Sequence, residues 1–396
     1  MSTDQPVFKS LGSLPKTVWL IGLISFVNDT ASEMLYPILP LFLTSVLMAG
    51  PRALGLIEGI ADAASSMLRL ASGVFVDKLT RIKPWLLVGY GLASISRPLT
   101  ILATSWTMVI GIRLADRIGK GLRSSPRDAL LAASVDRRQH GLAFGFHRAM
   151  DNGGAVLGPI LAFLLLQAQV SYENIFLLAI VPAVICIGLV LILPEATLAE
   201  QAKPVPLSID WRYRQLPLPL RRFLIVVGLF SVGNASNIFL LLRAKELGVP
   251  EPLIPLLWAL VSLVAALLST PLASLSDRVG RLPLLLVGYA AFGVVYLALG
   301  FLDQSTGLLA VLFILYGVFV AATEGVEKAM VADLAPDDRR GTAFGWFNMV
   351  VGLALLPASI VFGVLYETLS PAAAFGFSGA CAFSACLLLW RWFGRR

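Results

Sequence analysis

Gly73-Val-Phe-Val-Asp77-Lys78-Leu-Thr-Arg81 closes the second apolar stretch of the chain. Ala273-Ser-Leu-Ser-Asp277-Arg278-Val-Gly280-Arg281 closes another, 200 positions later. Each copy has an Asp and an Arg four residues apart and keeps one glycine. Glycine lets a short loop pack closely, and an Asp–Arg pair can latch two helix ends in one arrangement. The same offset carries Gly141, Ala143, Phe144 and Gly145 onto Gly341, Ala343, Phe344 and Gly345. An offset of 206 carries Gly22, Ser25 and Asn28 onto Gly228, Ser231 and Asn234. Internal repeats of this kind are a mark of secondary transporters, whose substrate site lies between the repeats near the bilayer midplane.

The rest of the chain fits a membrane setting. Of 396 residues, 57% are hydrophobic and 14% charged, and the mean hydropathy is +0.82. Soluble domains have roughly 45–50% apolar and about 25% charged residues. A soluble enzyme and a disordered chain are excluded on this count. A nucleic-acid binder is excluded too, despite the net charge of +7. A membrane helix needs about 20 apolar residues, and twelve candidate spans fit: 17–46, 53–76, 84–104, 106–134, 142–168, 174–193, 222–243, 253–275, 283–302, 306–333, 342–367 and 371–392. The second, fourth and tenth carry enough charge to score poorly by hydropathy. Cys186, Cys381 and Cys386 lie in apolar runs and are expected as buried small hydrophobes, without disulfide or metal.

Lys and Arg set the expected topology. Lys78, Arg81, Lys83, Arg137, Arg138, Arg212, Arg214, Arg221, Arg222, Arg278, Arg281, Arg339 and Arg340 fall in alternate connections. The positive-inside rule then puts both termini in the cytoplasm, and a bacterial inner membrane is the expected location. Residues 194–221, with five prolines, read as a cytoplasmic linker between six-helix bundles at 1–193 and 222–396. The fold class expected is all-α, with twelve transmembrane helices in two pseudo-symmetric bundles.

The Asp77 and Asp277 loops resemble the G-x-x-x-D-R-x-G-R motif of the major facilitator superfamily, with Thr80 and Ala273 as departures. Arg117-Ile-Gly-Lys120-Gly121 is similar to that superfamily's R-x-x-x-G motif, associated with proton transfer. Gly145, Gly154, Gly158 and Pro159 resemble the fifth-helix motif of its drug:proton antiporter branch, with Ala162 where a further glycine is usual. The resemblance implies a permease of antiporter type. The charged stretch Arg113–Asp128 departs from the drug-exporter pattern and resembles a bacterial subgroup of these permeases.

Ionisable residues inside a membrane need a partner or a water-filled cavity. In the first helix Asp29 and Glu33 are four residues apart, next to Asn28, and Pro37 and Pro40 can kink the same helix. Two carboxylates in a partly dry cavity can take up and release a proton. Asp62 joins them from the second helix, with Arg69 expected as its partner or that of a fourth-helix acid, while Glu58 sits near the outer end within reach of solvent. Arg113, Arg117, Lys120 and Arg127 form a basic stripe on the fourth helix, flanked by Asp116, Arg123 and Asp128. This stripe attracts an anionic substrate, responds to protonation of the first-helix carboxylates, or is a structural ion-pair network. Seven acids and eight bases in the first-half spans nearly cancel. His147 and Asp151 on the fifth helix complete the proton-coupling candidates.

The second half is less charged. Asn28, Arg113, Arg117, Asn234, Asn237, Trp258, Phe292, Tyr296, Tyr316, Glu324 and Trp346 are the substrate-contact candidates. Glu327-Lys328 reverses the sign of Arg127-Asp128 in the repeat and invites pairing across the bundles. Arg127 and Asp128 are also expected to latch the inner gate with Asp77 and Arg81.

No His, Cys and carboxylate spacing suits a metal, and no glycine loop suits a nucleotide. No nucleophile–base set suggests an enzyme. The leading expectation is a monomeric, proton-coupled antiporter exporting a small organic molecule by alternating access. The alternatives are a proton-coupled carrier of an anionic metabolite and a non-transporting receptor on the same fold.

Overall fold

The computed structural model describes residues 14–76, 81–135, 139–195, 216–302, 306–336 and 340–394. These residues form twelve helical rods and no strand. Rod α1 runs Lys16–Leu35 and resumes as Ile38–Ser45; α2 is Pro51–Val76; α3 is Lys83–Ser96 with a 3-10 turn at Pro98–Leu102. Next come α4 (Trp106–Ala133), α5 (His140–Gln167) and α6 (Tyr172–Leu178, then Ile180–Ile192). The second half gives α7 (Leu218–Gly233, then Ile238–Glu246), α8 (Ile254–Val279), α9 (Arg281–Phe301), α10 (Thr306–Leu334), α11 (Arg340–Thr368) and α12 (Pro371–Phe393).

Nine of the described helices are long and apolar enough to cross a membrane. Residues 16–45, 51–76 and 106–133 fall outside that group. The expectation for the second and fourth spans stands, but the tenth is corrected. Its charges gather after Thr323, which leaves an uninterrupted apolar stretch before them. The first span is the other exception, because Asn28, Asp29 and Glu33 interrupt it and the helix breaks at Tyr36–Pro37.

Local sequence explains the breaks. Pro37 and Pro98 cannot supply an amide hydrogen to the preceding turn. In α7 the helix ends at Gly233, and Asn234 to Ser236 break it before it resumes. Asn28, its counterpart in the repeat, stays helical, and its side chain accepts from Arg97 and donates to Asp29. Ser171 and Ser370 cap α6 and α12 by accepting from Asn174 and Ala373. Gly280 turns the chain from α8 to α9 at φ 93°, a conformation that a side chain would strain.

One apolar core joins Leu39, Phe42 and Leu54 of the first half to Phe239, Tyr296 and Phe362 of the second. These lie toward the end of the bundle away from the termini. At the terminus-bearing end, Val18, Ile21, Leu86, Leu130 and Val190 form a separate core inside the first half. The halves are therefore fused at one end and distinct at the other.

Candidate functional site

Small residues bring α5 against α1. A Cβ added at Gly154 would lie 2.6 Å from the Phe26 carbonyl oxygen, and one at Gly158 would lie 2.6 Å from Met34 N and Thr30 O. Pro159 is inside the same helix, and nothing lies within 4 Å of a Cβ at Gly145. Close approach of this kind is how membrane helices gain packing contacts. It also lines up a polar seam. Ser25 Oγ is 2.8 Å from His147 Nε2, whose Nδ1 is 3.6 Å from Asp151. Asp29 accepts from Asn28 at 2.8 Å, and its Cβ lies near Gly154. Asp29, His147 and Asp151 thus belong to the α1–α5 interface, and Asn28 faces Arg97 of the α3 end; none of the four lines the cavity described below.

The basic stripe of α4 is neutralised by acids on its neighbours. Arg97 of the α3 end donates to Asp116 at 2.9 Å and to Asn28 of α1. Arg113 meets Glu58 at 2.6 Å and lies 3.8 Å from Asp116. Arg117 meets Asp62 at 3.2 Å and Glu58 at 3.6 Å. Three arginines and three carboxylates balance in a buried block tying α1, α2, α3 and α4. Glu58 is fully buried, which corrects its placement at a solvated outer end. Arg117, not Arg69, holds Asp62; the Arg69 side chain lies outside the described residues. Arg123 rests over the Tyr90 ring, 4.8 Å from its centroid.

A cavity of about 550 Å³ opens between the halves. Glu33, Tyr36, Asp62, Arg117 and Lys120 line it from the first half. From the second come Phe230, Asn234, Asn237, Trp258, Tyr316, Phe319, Glu324 and Glu327. The unwound segment of α7 faces it, as expected where a broken helix lines a site. Beside the cavity, polar contacts cross between the halves. Trp258 Nε1 donates to Glu33 at 2.8 Å, and Arg148 of α5 donates to Glu324 at 2.7 Å. Within the second half, the Tyr289 hydroxyl donates to Glu327 at 2.8 Å, and Tyr316 donates to Asn237.

The cavity is sealed at the end away from the termini. There α2 and α11 touch backbone to backbone. Added Cβ atoms at Gly55 and Gly363 would lie 2.3 Å from Ser359 O and 2.6 Å from Pro51 O. Arg52 pairs with Glu367 and Lys245 with Glu251, while Tyr172 donates to Glu251 and Tyr366 to Glu246. Toward the other end, Lys120, Arg148 and Glu324 are exposed, so water reaches the cavity from the side that carries the termini.

Several expectations change. Arg113 lies off the cavity because Glu58 and Asp116 hold it. Phe292, Tyr296 and Trp346 are not in the lining either; Phe292 and Tyr296 are buried against each other with centroids 3.9 Å apart. Arg127 is held by its neighbour Asp128 at 2.9 Å and Glu327 by Tyr289, so neither takes part in the expected cross-bundle pairing. Arg148–Glu324 is an ion pair that does join the bundles at this end. Arg81 lies 3.9 Å from Glu195. Asp77 is outside the described residues, as is most of the 194–221 segment, and the surroundings of Gly73 are not described. In the repeat copy Arg281 pairs with Asp277 and, at 3.0 Å, with Asp333 of α10. Lys328 is exposed on α10. Tyr36, Phe230, Phe319 and Tyr289 were not singled out from the sequence. Tyr36 carried a signal, three positions after Glu33 on the same helix.

The chain matches the family described as Major Facilitator Superfamily over residues 21–241 and again over 222–396. It is 36% identical over 385 residues to an uncharacterized MFS-type transporter of Methanocaldococcus jannaschii, covering 95% of this chain and 94% of that one. It is 24% identical to the multidrug resistance protein MdtG of Salmonella arizonae, over 77% of this chain and 78% of the other. The fold is similar to that of a point mutant of the nucleoside transporter NupG. The TM-score is 0.81 at 14% identity, with 96% of this chain and 99% of that one covered.

Proposed function

Because this chain belongs to the major facilitator superfamily and is a multi-pass membrane transporter, we propose that it works as a proton-coupled antiporter exporting a small organic molecule. The two units, 1–193 and 222–396, alternate access around the cavity, with both termini in the cytoplasm. The Lys and Arg distribution supports that orientation. The likeness to a multidrug resistance protein supports export.

The carrying observation is the 2.8 Å bond from Trp258 to Glu33 across the cavity. An ionised carboxylate accepts a hydrogen bond about twice as strongly as a neutral group. Protonation of Glu33 therefore weakens a bond that ties α1 to α8. A proton acts on the conformational balance only through such a difference between states. Substrate entering beside Glu33 competes for the same carboxylate, which links its departure to proton entry. The pairing of Arg113 and Arg117 with acids takes the charge of these two arginines away from an anion site. Aromatic walls and carboxylates suit a neutral or cationic organic molecule.

Purified protein in proteoliposomes under an imposed pH gradient tests this, with tetraphenylphosphonium and benzoate as cationic and anionic probes. Gradient-driven tetraphenylphosphonium exchange is expected, and Glu33→Gln should abolish the gradient dependence while the protein remains folded. Wild-type exchange that ignores the gradient would refute proton coupling. Benzoate flux lost selectively in Arg117→Gln would establish the anion carrier instead, and binding without flux a receptor.

A further inference from the structure

Glu327 stands apart from Asp62 and Glu324 in the cavity lining. Asp62 is matched by Arg117 and Glu324 by Arg148. Glu327 instead accepts a hydrogen bond from a neutral donor, the Tyr289 hydroxyl at 2.8 Å. Tyr289 is fully buried, and Phe230 stacks flat on it with centroids 4.0 Å apart and planes 2° from parallel. Phe230 in turn lines the cavity beside Glu327. The hydroxyl is thereby fixed, and so is the carboxyl it holds. Glu33 shares this condition in the first half, where its donor is the Trp258 indole.

The surroundings supply little countercharge. On α10 itself the charged neighbours are Glu324, committed to Arg148, and Lys328, which is exposed. Lys328 acts on Glu327 through space, but adjacent positions on a helix do not face each other, so the two form no ion pair. From α9 comes Tyr289. Residues 223–233 of α7, 254–276 of α8 and 343–366 of α11 hold no charged side chain. Across the cavity stand Glu33, Asp62, Arg117 and Lys120. An ionised carboxylate without a fixed cation is tolerated while water reaches it. It is strongly disfavoured once the cavity closes around it.

We infer that Glu327, positioned by Tyr289, is a second exchange site of the cavity, which takes a proton on one leg of the cycle and a cationic group of the substrate on the other. This rests on the antiport reading and extends it. With Glu33 the cavity then holds two positive charges, one on each half. A dicationic organic molecule exchanges for two protons and a monocation for one.

Two measurements test this. In the first, infrared difference spectra of the purified protein without ligand are recorded between acidic and alkaline buffer. The protonated-carboxyl band is expected to lose one component in Glu327→Gln and a different one in Glu33→Gln. Tyr289→Phe should retain the Glu327 component but shift its frequency and pH midpoint, which a purely structural role would not do. Identical spectra for wild type and Glu327→Gln overturn the inference, whatever the transport data say. In the second, proton flux per molecule is measured in proteoliposomes with methyl viologen, a dication, and tetraphenylphosphonium. Ratios of two and one are expected, and Glu327→Gln should lower only the first. A wild-type ratio of one for both probes overturns the inference and leaves antiport standing. Spectra with both components but no gradient-driven flux overturn antiport and leave the site standing.

Discussion

Replacing Asp116 by Asn tests the buried charge block directly. Asp116 is 2% exposed and sits among Arg97 at 2.9 Å, Arg113 at 3.8 Å and Arg117 at 3.9 Å. With Glu58 and Asp62 the block is neutral, three charges of each sign. The amide keeps the shape of the side chain but leaves one arginine charge unmatched in a site shielded from water. Breaking a buried pair by removing one partner costs about 3–5 kcal/mol. That is a large part of a typical total stability of roughly 5–15 kcal/mol. Thermal unfolding in detergent, followed by size-exclusion fluorescence, should show a loss of that order. The double variant Asp116→Asn with Arg97→Gln returns the block to two charges of each sign. It should recover stability, with a coupling of up to about 3 kcal/mol. If the single variant lies within about 0.5 kcal/mol of wild type and the double variant simply adds its two effects, the block is not a coupled network.

Other perturbations address the cavity and its seals. Trp258→Phe keeps the ring but removes the donor to Glu33, a charge-assisted bond of about 1.5–3 kcal/mol. A loss of 1.4 kcal/mol is about tenfold in an equilibrium, so spin-label distances between α1 and α8 should show about a tenfold or larger shift away from the state in which they touch. Gly55→Val places side-chain atoms where a Cβ already lies 2.3 Å from Ser359 O. It should part the ends of α2 and α11 that lie away from the termini, raising labelling of a cysteine introduced there by a membrane-impermeant thiol reagent. Gly154→Val should cost about 1–3 kcal/mol by forcing α5 from α1. Gly145→Ala, where a Cβ meets nothing within 4 Å, should leave the melting temperature unchanged.

The sequence by itself determined the solvent, the repeat and the helix count, because those depend on composition and on local pattern. The Gly154 and Gly158 spacing already pointed to close packing, since a missing side chain acts on whatever helix lies opposite. Which helix that was, and how each rod is rotated, depended on contacts distant in the chain. Asp29 and Glu33 show the difference. Four residues advance a helix by about 40° beyond one turn, enough to put Glu33 on the cavity and Asp29 against α5. The arginine stripe was legible on one helix face, but its neutral character came from Glu58 and Asp62 on another helix. The sign reversal at Glu327-Lys328 suggested a partner in the first half, whereas Tyr289 on the adjacent helix holds Glu327. Trp258 and Glu33 are 225 positions apart, and only the tertiary fold, by bringing two helix faces to one cavity, made a bond of them.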